Sequence, residues 1–254
     1  METAAKSASR RRFLMTAAAF CRCLCLASAL TSYAAAASAE KPVALELVLA
    51  VDTSASVDAG EFELQVKGLS EAFASPEVIA AIETLAPRGV AVSLVQWSGR
   101  EHSAAVLPFH EVYDARTAKS FAFLIGLMRR RDISGSTAMG LAIELSARLL
   151  ANNGYDGERR VIDISGDGRS NDPPPVEPAR DRAVADGITI NGLAILSDDP
   201  RLDVYYRRSV VGGKDAFVEV AADYDSFARA IKQKLIREIY PPLSFLPRPR
   251  FAGR

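Results

Sequence analysis

Three oxygen-bearing side chains stand at alternate positions in the stretch DTSAS: Asp52, Ser54 and Ser56. They follow an apolar run, Leu47 to Val51, that stops abruptly. One carboxylate and two hydroxyls at a strand end are hard oxygen donors, and hard donors suit a cation such as Mg2+ or Ca2+. The same residues could equally form an ordinary turn that leads into a helix cap. Two further stretches carry comparable groups. In RDISGSTAMGLAIEL, Ser134 to Thr137 come directly before a helical pattern, and in DISGDGRSN, Asp167 and Gly168 follow an apolar strand that ends at Ile164. Taken alone, the first reads as a helix N-cap and the second as an Asp-Gly turn.

Other chemistries find less to work with. All three cysteines, Cys21, Cys23 and Cys25, fall within the first 39 residues. If that segment is removed, neither a thiolate metal site nor a cysteine nucleophile is left. His102 and His110 flank one β-like stretch with no third ligand nearby, and read as surface residues. Asp163, four residues before Asp167, reads as a structural or supporting carboxylate. Arg129 to Arg131 read as the complement of a helix C-terminus, with attraction of an anionic partner as the alternative. Trp97 is expected in the core, with the rim of a site as the other reading. No G-x-S-x-G elbow or phosphate-binding Walker loop is present. An aspartyl-phosphate hydrolase of the haloacid dehalogenase type would need a carboxylate where Ser54 stands. The enzymatic alternative is therefore a Mg2+-dependent hydrolase or phosphoryl-transfer enzyme with Asp52 as its key acid.

The three polar loops can act together only if the elements beneath them bring them to one place. Val43 to Val51, Gly89 to Trp97, Arg160 to Ile164 and Ile188 to Leu196 are near-continuous apolar runs, the mark of strands covered on both faces. Helical patterns alternate with them: Ala59 to Ala74, Ala115 to Met128, Ala138 to Leu150 and a closing Tyr224 to Ile239. This alternation predicts an α/β fold with a doubly wound, mostly parallel sheet and helices on both faces. The stretch His102 to Phe109 follows its predecessor too closely for a crossover helix, so it should form an antiparallel edge strand. Ala216 to Val220 reads as a last short strand. In such a sheet ligands bind beyond the carboxyl ends of the strands, where the three polar loops lie.

The chain ends read as separate pieces. Residues 1–39 carry a basic cluster, SRRRFLM, then an alanine-rich stretch ending in Ala37-Ser38-Ala39, an export signal cleaved before Glu40. The order Ser9-Arg10-Arg11-x-Phe13-Leu14 resembles the twin-arginine signal, with a general secretory signal as the alternative. Its uninterrupted apolar part is shorter than the ~20 residues a membrane span needs, so no stable span is expected after removal of the signal. The segment holds five of 31 basic and one of 31 acidic residues, which leaves 26 and 30 for the remainder. A mildly acidic chain without a basic patch argues against nucleic acid as a partner. Residues 40–240 are expected to form one domain, and 241–254 a proline-rich tail.

Together the polar loops resemble the metal ion-dependent adhesion site (MIDAS) of the von Willebrand factor A domain. That site reads D-x-S-x-S after the first strand, a threonine before a mid-chain helix and an Asp-Gly after the fourth strand. The resemblance places a divalent cation, Mg2+ with Mn2+ or Ca2+ as alternatives, on Asp52, Ser54, Ser56, Thr137 and Asp167. Ala142 and Ile143 match the small-apolar pair that follows the family's threonine. The likeness runs over roughly Ala44 to Ile239, implies a Rossmann-like fold, and extends more narrowly to an exported bacterial family, domain of unknown function 1194. It implies a binding module rather than an enzyme, periplasmic or secreted, whose protein partner completes the metal shell with an Asp or Glu.

Overall fold

The structure is a computed structural model that describes residues 40–131 and 135–240. The expected export signal (1–39), the tail (241–254) and Ser134 lie outside the described residues.

Two short strands, β1 (Lys41–Val43) and β5 (Tyr155–Gly157), pair in parallel as a sheet of their own. The main sheet has six strands. β2 (Leu45–Asp52) and β3 (Val90–Trp97) are buried at every residue, and β6 (Arg160–Gly166) and β7 (Ile188–Ile195) at all but one. This is why their sequences lack polar alternation. With β4 (Ala104–Val112) and β8 (Val218–Ala221) they stand in the order β4-β3-β2-β6-β7-β8. Every neighbouring pair is parallel except β3 with β4. The antiparallel edge is as expected, although β4 starts two residues later than the sequence suggested and runs on to Val112.

The helices, in chain order, are α1 (Ala59–Ala74), α2 (Pro76–Glu83), α3 (Ala115–Gly126), α4 (Met139–Ala151), α5 (Val176–Ala185), α6 (Leu202–Tyr205) and α7 (Phe227–Ile239). A π-helical stretch, Tyr206–Val210, continues α6. Alternate residues of β2 divide the core. Leu47, Leu49 and Val51 pack against α1, α2, α3 and α7, whereas Val48 and Ala50 pack against α4, α5 and Tyr206. Each fully buried Val, Leu or Ile contributes roughly 1.5–3 kcal/mol, so this two-sided core fixes the strand ends and whatever extends from them.

Local signals explain the helix starts. Asp58 caps α1 and forms a reciprocal capping box with Glu61, and Asp114 caps α3 with Thr117 in the same way. Ser75 caps α2, with Pro76 at its first position. The cap of α1 is Asp58, so DTSAS begins the turn that leads into this cap and none of its own side chains caps the helix. β8 and α7 also start later than their sequence patterns, at Val218 and Phe227. Tyr224 consequently sits in the loop before α7. From β2 the chain moves outward to β3 and β4 on one side, and β6, β7 and β8 extend the sheet on the other. The strand order therefore reverses between β2 and β6, the switch point where open α/β sheets bind ligands.

Candidate metal centre

Asp52 ends β2 and Asp167 directly follows β6, its parallel neighbour, so both aspartates leave the sheet side by side at the switch point. A chain of hydrogen bonds joins their loops. The Ser54 backbone N–H donates to Asp52 Oδ1 at 2.7 Å. The Ser54 and Ser56 hydroxyls lie 3.2 Å apart, and Ser56 Oγ donates to Asp167 Oδ1 at 2.8 Å. The Tyr224 hydroxyl donates to Asp167 Oδ2 at 3.0 Å. Thr137 stands alongside: its Oγ1 is 4.0 Å from where a Cβ on Gly168 would lie. Its backbone is held from both sides. The Thr137 N–H donates to Asn171 Oδ1 at 2.8 Å, and its carbonyl accepts from the Asn171 N–H at 3.0 Å and from Ser170 Oγ at 2.9 Å. Because Ala138 is the N-cap residue of α4 and the first helical N–H, that of Met139, donates to Ser170 Oγ at 3.3 Å, Thr137 is not an N-cap. All five residues singled out in the sequence are thus gathered at one end of the sheet.

The DTSAS loop is held by groups from four other segments. Thr53 donates to the Trp97 carbonyl through both its N–H and its hydroxyl, at 2.8 and 3.1 Å. Gln65 of α1 donates to the Asp52 carbonyl at 3.1 Å, and the Ala55 N–H to the Gly135 carbonyl at 3.1 Å. Arg130 donates through one guanidinium nitrogen to the carbonyls of Thr53 and Ser54, at 3.0 and 2.9 Å. Arg130 of the Arg129 to Arg131 run thus reaches the DTSAS loop, a contact that the reading as a helix C-terminal complement did not include. Its backbone is itself gripped by the Gln96 side chain, which donates to the Arg129 carbonyl and accepts from the Arg131 N–H, both at 3.0 Å. With these carbonyls turned toward arginine and glutamine donors, the Ser54 hydroxyl meets that of Ser56, and Ser56 reaches Asp167.

Burial dominates the electrostatics. The Asp52 carboxyl is pushed up to about 7, first by burial and then by the Asp167 charge, against the Ser54 hydrogen bonds and the Arg130 cation. Asp167 is also raised by burial, with the Ser56 and Tyr224 hydrogen bonds opposing. Tyr224, buried beside that carboxylate, is held far above its ordinary range and stays a donor. Asp52 Oδ2 is buried with no hydrogen-bond partner among the described residues. Such an atom is costly unless something positive meets it. Two carboxylates with three hydroxyls form an all-oxygen donor set suited to a small divalent cation. Among the described residues no group of three or more His, Cys, Asp or Glu gathers as a metal cage. A site of this kind takes its remaining oxygens from hydroxyls.

The other singled-out residues lie elsewhere. Trp97 is wholly buried and belongs to the core. The His110 ring packs 5.5 Å from Phe121. Asp163 points away from the site, beneath α7, where it pairs with Lys234 at 2.7 Å. The sequence alone assigned no site role to Gln65, Gln96, Asn171 or Tyr224, and to Arg130 only the alternative of attracting an anionic partner. The Asn171 signal was closest to hand, since DGRSN continues directly from Asp167.

A family model described as "Protein of unknown function (DUF1194)" matches residues 42–243. No curated protein matches the chain in sequence. Among solved structures, proximal thread matrix protein 1 from the mussel byssus, with a zinc-occupied MIDAS motif, is similar at a TM-score of 0.57 and 14% identity over 78% of this chain and 49% of its own. The pilus adhesin SpaC from Lactobacillus rhamnosus GG is similar at 0.55 and 14%, over 78% and 31%. The vWF domain of the type V pili tip protein Mfa5 from Porphyromonas gingivalis is similar at 0.55 and 10%, over 79% and 97%. The match spans about half the length of the mussel protein and under a third of SpaC. At these identities the likeness establishes a von Willebrand factor A-like fold.

Proposed function

Because the chain belongs to the DUF1194 family, whose description assigns no activity, its function must be read from the site, and we propose that it is an exported, metal-dependent protein-binding module. The observation that carries this reading is the buried, unpartnered Asp52 Oδ2 at the head of a hydrogen-bonded chain through Ser54, Ser56 and Asp167. In this reading Asp52, Ser54, Ser56, Thr137 and Asp167 hold Mg2+, with Mn2+ or Ca2+ as substitutes. The bound cation supplies a Lewis-acidic point that accepts a carboxylate oxygen from a partner's Asp or Glu. The protein's own groups do the rest. Ser54 and Ser56 add oxygen without charge, so two carboxylates alone face the cation and its attraction for an anion is not spent internally. Arg130 and Gln65 keep the loop's carbonyls out of the site, and Tyr224 fixes the Asp167 carboxylate.

Residues 40–240 form the module in this scheme, 1–39 export it to the periplasm or beyond, and 241–254 follow as a tail. Among the described residues no helix is long and apolar enough to cross a membrane. The similar structures, a mussel byssus matrix protein and two pilus proteins, support a binding role in kind. Recovery of the uncleaved chain from the cytoplasm on fractionation would remove the export part.

Calorimetric titration with Mg2+ and Mn2+ tests the site. Asp52→Ala should lose nearly all affinity and Ser54→Ala part of it. In parallel, capture of a partner from an envelope extract should require metal, because a mildly acidic protein repels an acidic ligand everywhere except at the cation. Equal Mn2+ binding by wild type and Asp52→Ala would sink the assignment, and capture that persists in EDTA would move the interface elsewhere.

A further inference from the structure

Two buried oxygens near the switch point face the same spot. A Cβ placed on Gly166, the last residue of β6, would lie 2.7 Å from Asp52 Oδ2 and 3.1 Å from the Tyr206 hydroxyl. Both Asp52 and Tyr206 are wholly buried, and neither oxygen has a hydrogen-bond partner among the described residues. One is an anionic acceptor and the other a donor, so each is what the other lacks.

The fold makes room for this meeting. Asp52 continues the Val48 and Ala50 side of β2, the face on which Tyr206 packs. Gly166 and Gly192 are the missing side chains on that face of β6 and β7. A Cβ on Gly192 would stand 2.5 Å from Tyr206 Cδ1, so the ring can lie against the sheet only because both positions are glycine. Tyr206 also opens the π-helical stretch, whose widened turn is closed by the Val211 N–H donating to the Tyr206 carbonyl at 3.0 Å. Arg180 of α5 holds the turn by donating to the carbonyls of Arg208 and Ser209, both at 3.0 Å. π-Turns cost helical regularity and occur frequently at functional sites. Here the turn places a phenol hydroxyl beneath the site aspartate.

We propose that Tyr206 is a positioning residue of the metal centre: its hydroxyl donates to Asp52 Oδ2 when the cation is bound, and so fixes the orientation in which Asp52 presents its carboxylate. The proposal rests on the reading of Asp52 as a cation ligand. A tyrosine serving only as core packing would gain nothing from its hydroxyl, since a buried hydroxyl without a partner costs free energy that phenylalanine avoids.

Tyr206→Phe separates the two roles because it deletes a single oxygen and keeps the ring. Mn2+ is titrated calorimetrically into wild type, Tyr206→Phe and Asp52→Ala, and each is melted in EDTA. Tyr206→Phe should bind Mn2+ about tenfold more weakly, at the low end of what supporting groups around metal ligands contribute. Its metal-free melting temperature should match or exceed that of wild type. Gly192→Ala, which drives a methyl into the ring, should weaken Mn2+ binding as well. Unchanged Mn2+ affinity in Tyr206→Phe, alongside an Asp52→Ala that no longer binds, overturns the role of Tyr206 and leaves the metal site standing. Equal binding by wild type and Asp52→Ala overturns both.

Discussion

Thr137 shows how a single hydroxyl is placed without being used by the fold. Its N–H and carbonyl are both tied to the Ser170-Asn171 turn, and the first N–H of α4, that of Met139, donates to Ser170 Oγ rather than to Thr137. Backbone ties of this kind determine where the side chain points and leave the hydroxyl available to a ligand. Thr137→Val, which keeps shape and removes the oxygen, should therefore weaken Mn2+ binding at least about tenfold. Stability in EDTA should stay within about 1 kcal/mol of wild type, the scale of one net hydrogen bond. Calorimetry and denaturant titration on the same sample check both. A stability loss with no change in affinity would return Thr137 to the structural role its position before a helix first suggested. The oxygen-bearing residues themselves were legible in the sequence because the types and spacing of D-x-S-x-S, Thr and Asp-Gly are local. Tyr224 and Arg130 were not, since they reach the site from 57 and 76 residues along the chain and only the folded sheet brings them there.

At the level of elements, the site is set by how one loop is gripped by others. Gln96 on β3 holds the backbone on either side of Arg130, and Arg130 in turn holds the Thr53 and Ser54 carbonyls. Hydrogen bonds to a charged group contribute about 1.5–3 kcal/mol. Arg130→Met should therefore speed amide exchange at Ser54 and lower the metal-free stability by an amount of that order, and Gln96→Leu should act in the same direction through the same grip. Hydrogen exchange followed residue by residue across 52–56 is the measurement. Protection unchanged from wild type would mean that Gln65 and the Trp97 carbonyl suffice. The elements most legible in advance were those whose pattern is their burial: α1 has the expected bounds, and β3 differs from its apolar run by one residue. The short parallel pair of β1 and β5 escaped because three-residue strands carry no periodicity. α5 escaped for another reason, since Glu177, Arg180, Asp181 and Arg182 crowd its ten residues and dilute the apolar stripe. The π-turn at Tyr206 has no sequence signature that periodicity can detect.

Across the whole molecule, the helix that follows the Tyr224 loop is anchored by buried charge rather than by apolar packing alone. Lys234 of α7 places its ammonium 2.7 Å from Asp163 Oδ2 on β6 and 2.6 Å from Glu238 Oε1. Asn191 of β7 donates to Glu238 Oε1 at 3.0 Å and accepts from the Phe217 N–H at 3.1 Å. Arg159 donates to the carbonyls of Glu238 and Ile239 at the end of the helix. Two carboxylates thus share one ammonium in the core, and a second negative charge there is expensive. The Asp163 carboxyl is accordingly raised from about 3.8 to about 7, by burial first and by Glu238 second, with Lys234 opposing. The folded protein keeps a proton that the unfolded chain releases between those two values. The stability linked to Asp163 is therefore complete below about pH 4 and is lost as pH rises toward 7. Most salt-bridged carboxylates follow the opposite slope, because pairing lowers their pKa. Urea midpoints in EDTA, taken from about pH 5 to about pH 7.5, should fall for wild type and fall less for Asp163→Asn, which has no proton to lose. Asp52 is common to both proteins, so the difference between the two curves reports on the Asp163, Lys234 and Glu238 cluster. Parallel curves would show that Lys234 alone compensates both carboxylates, and that α7 is held with the same strength across this range.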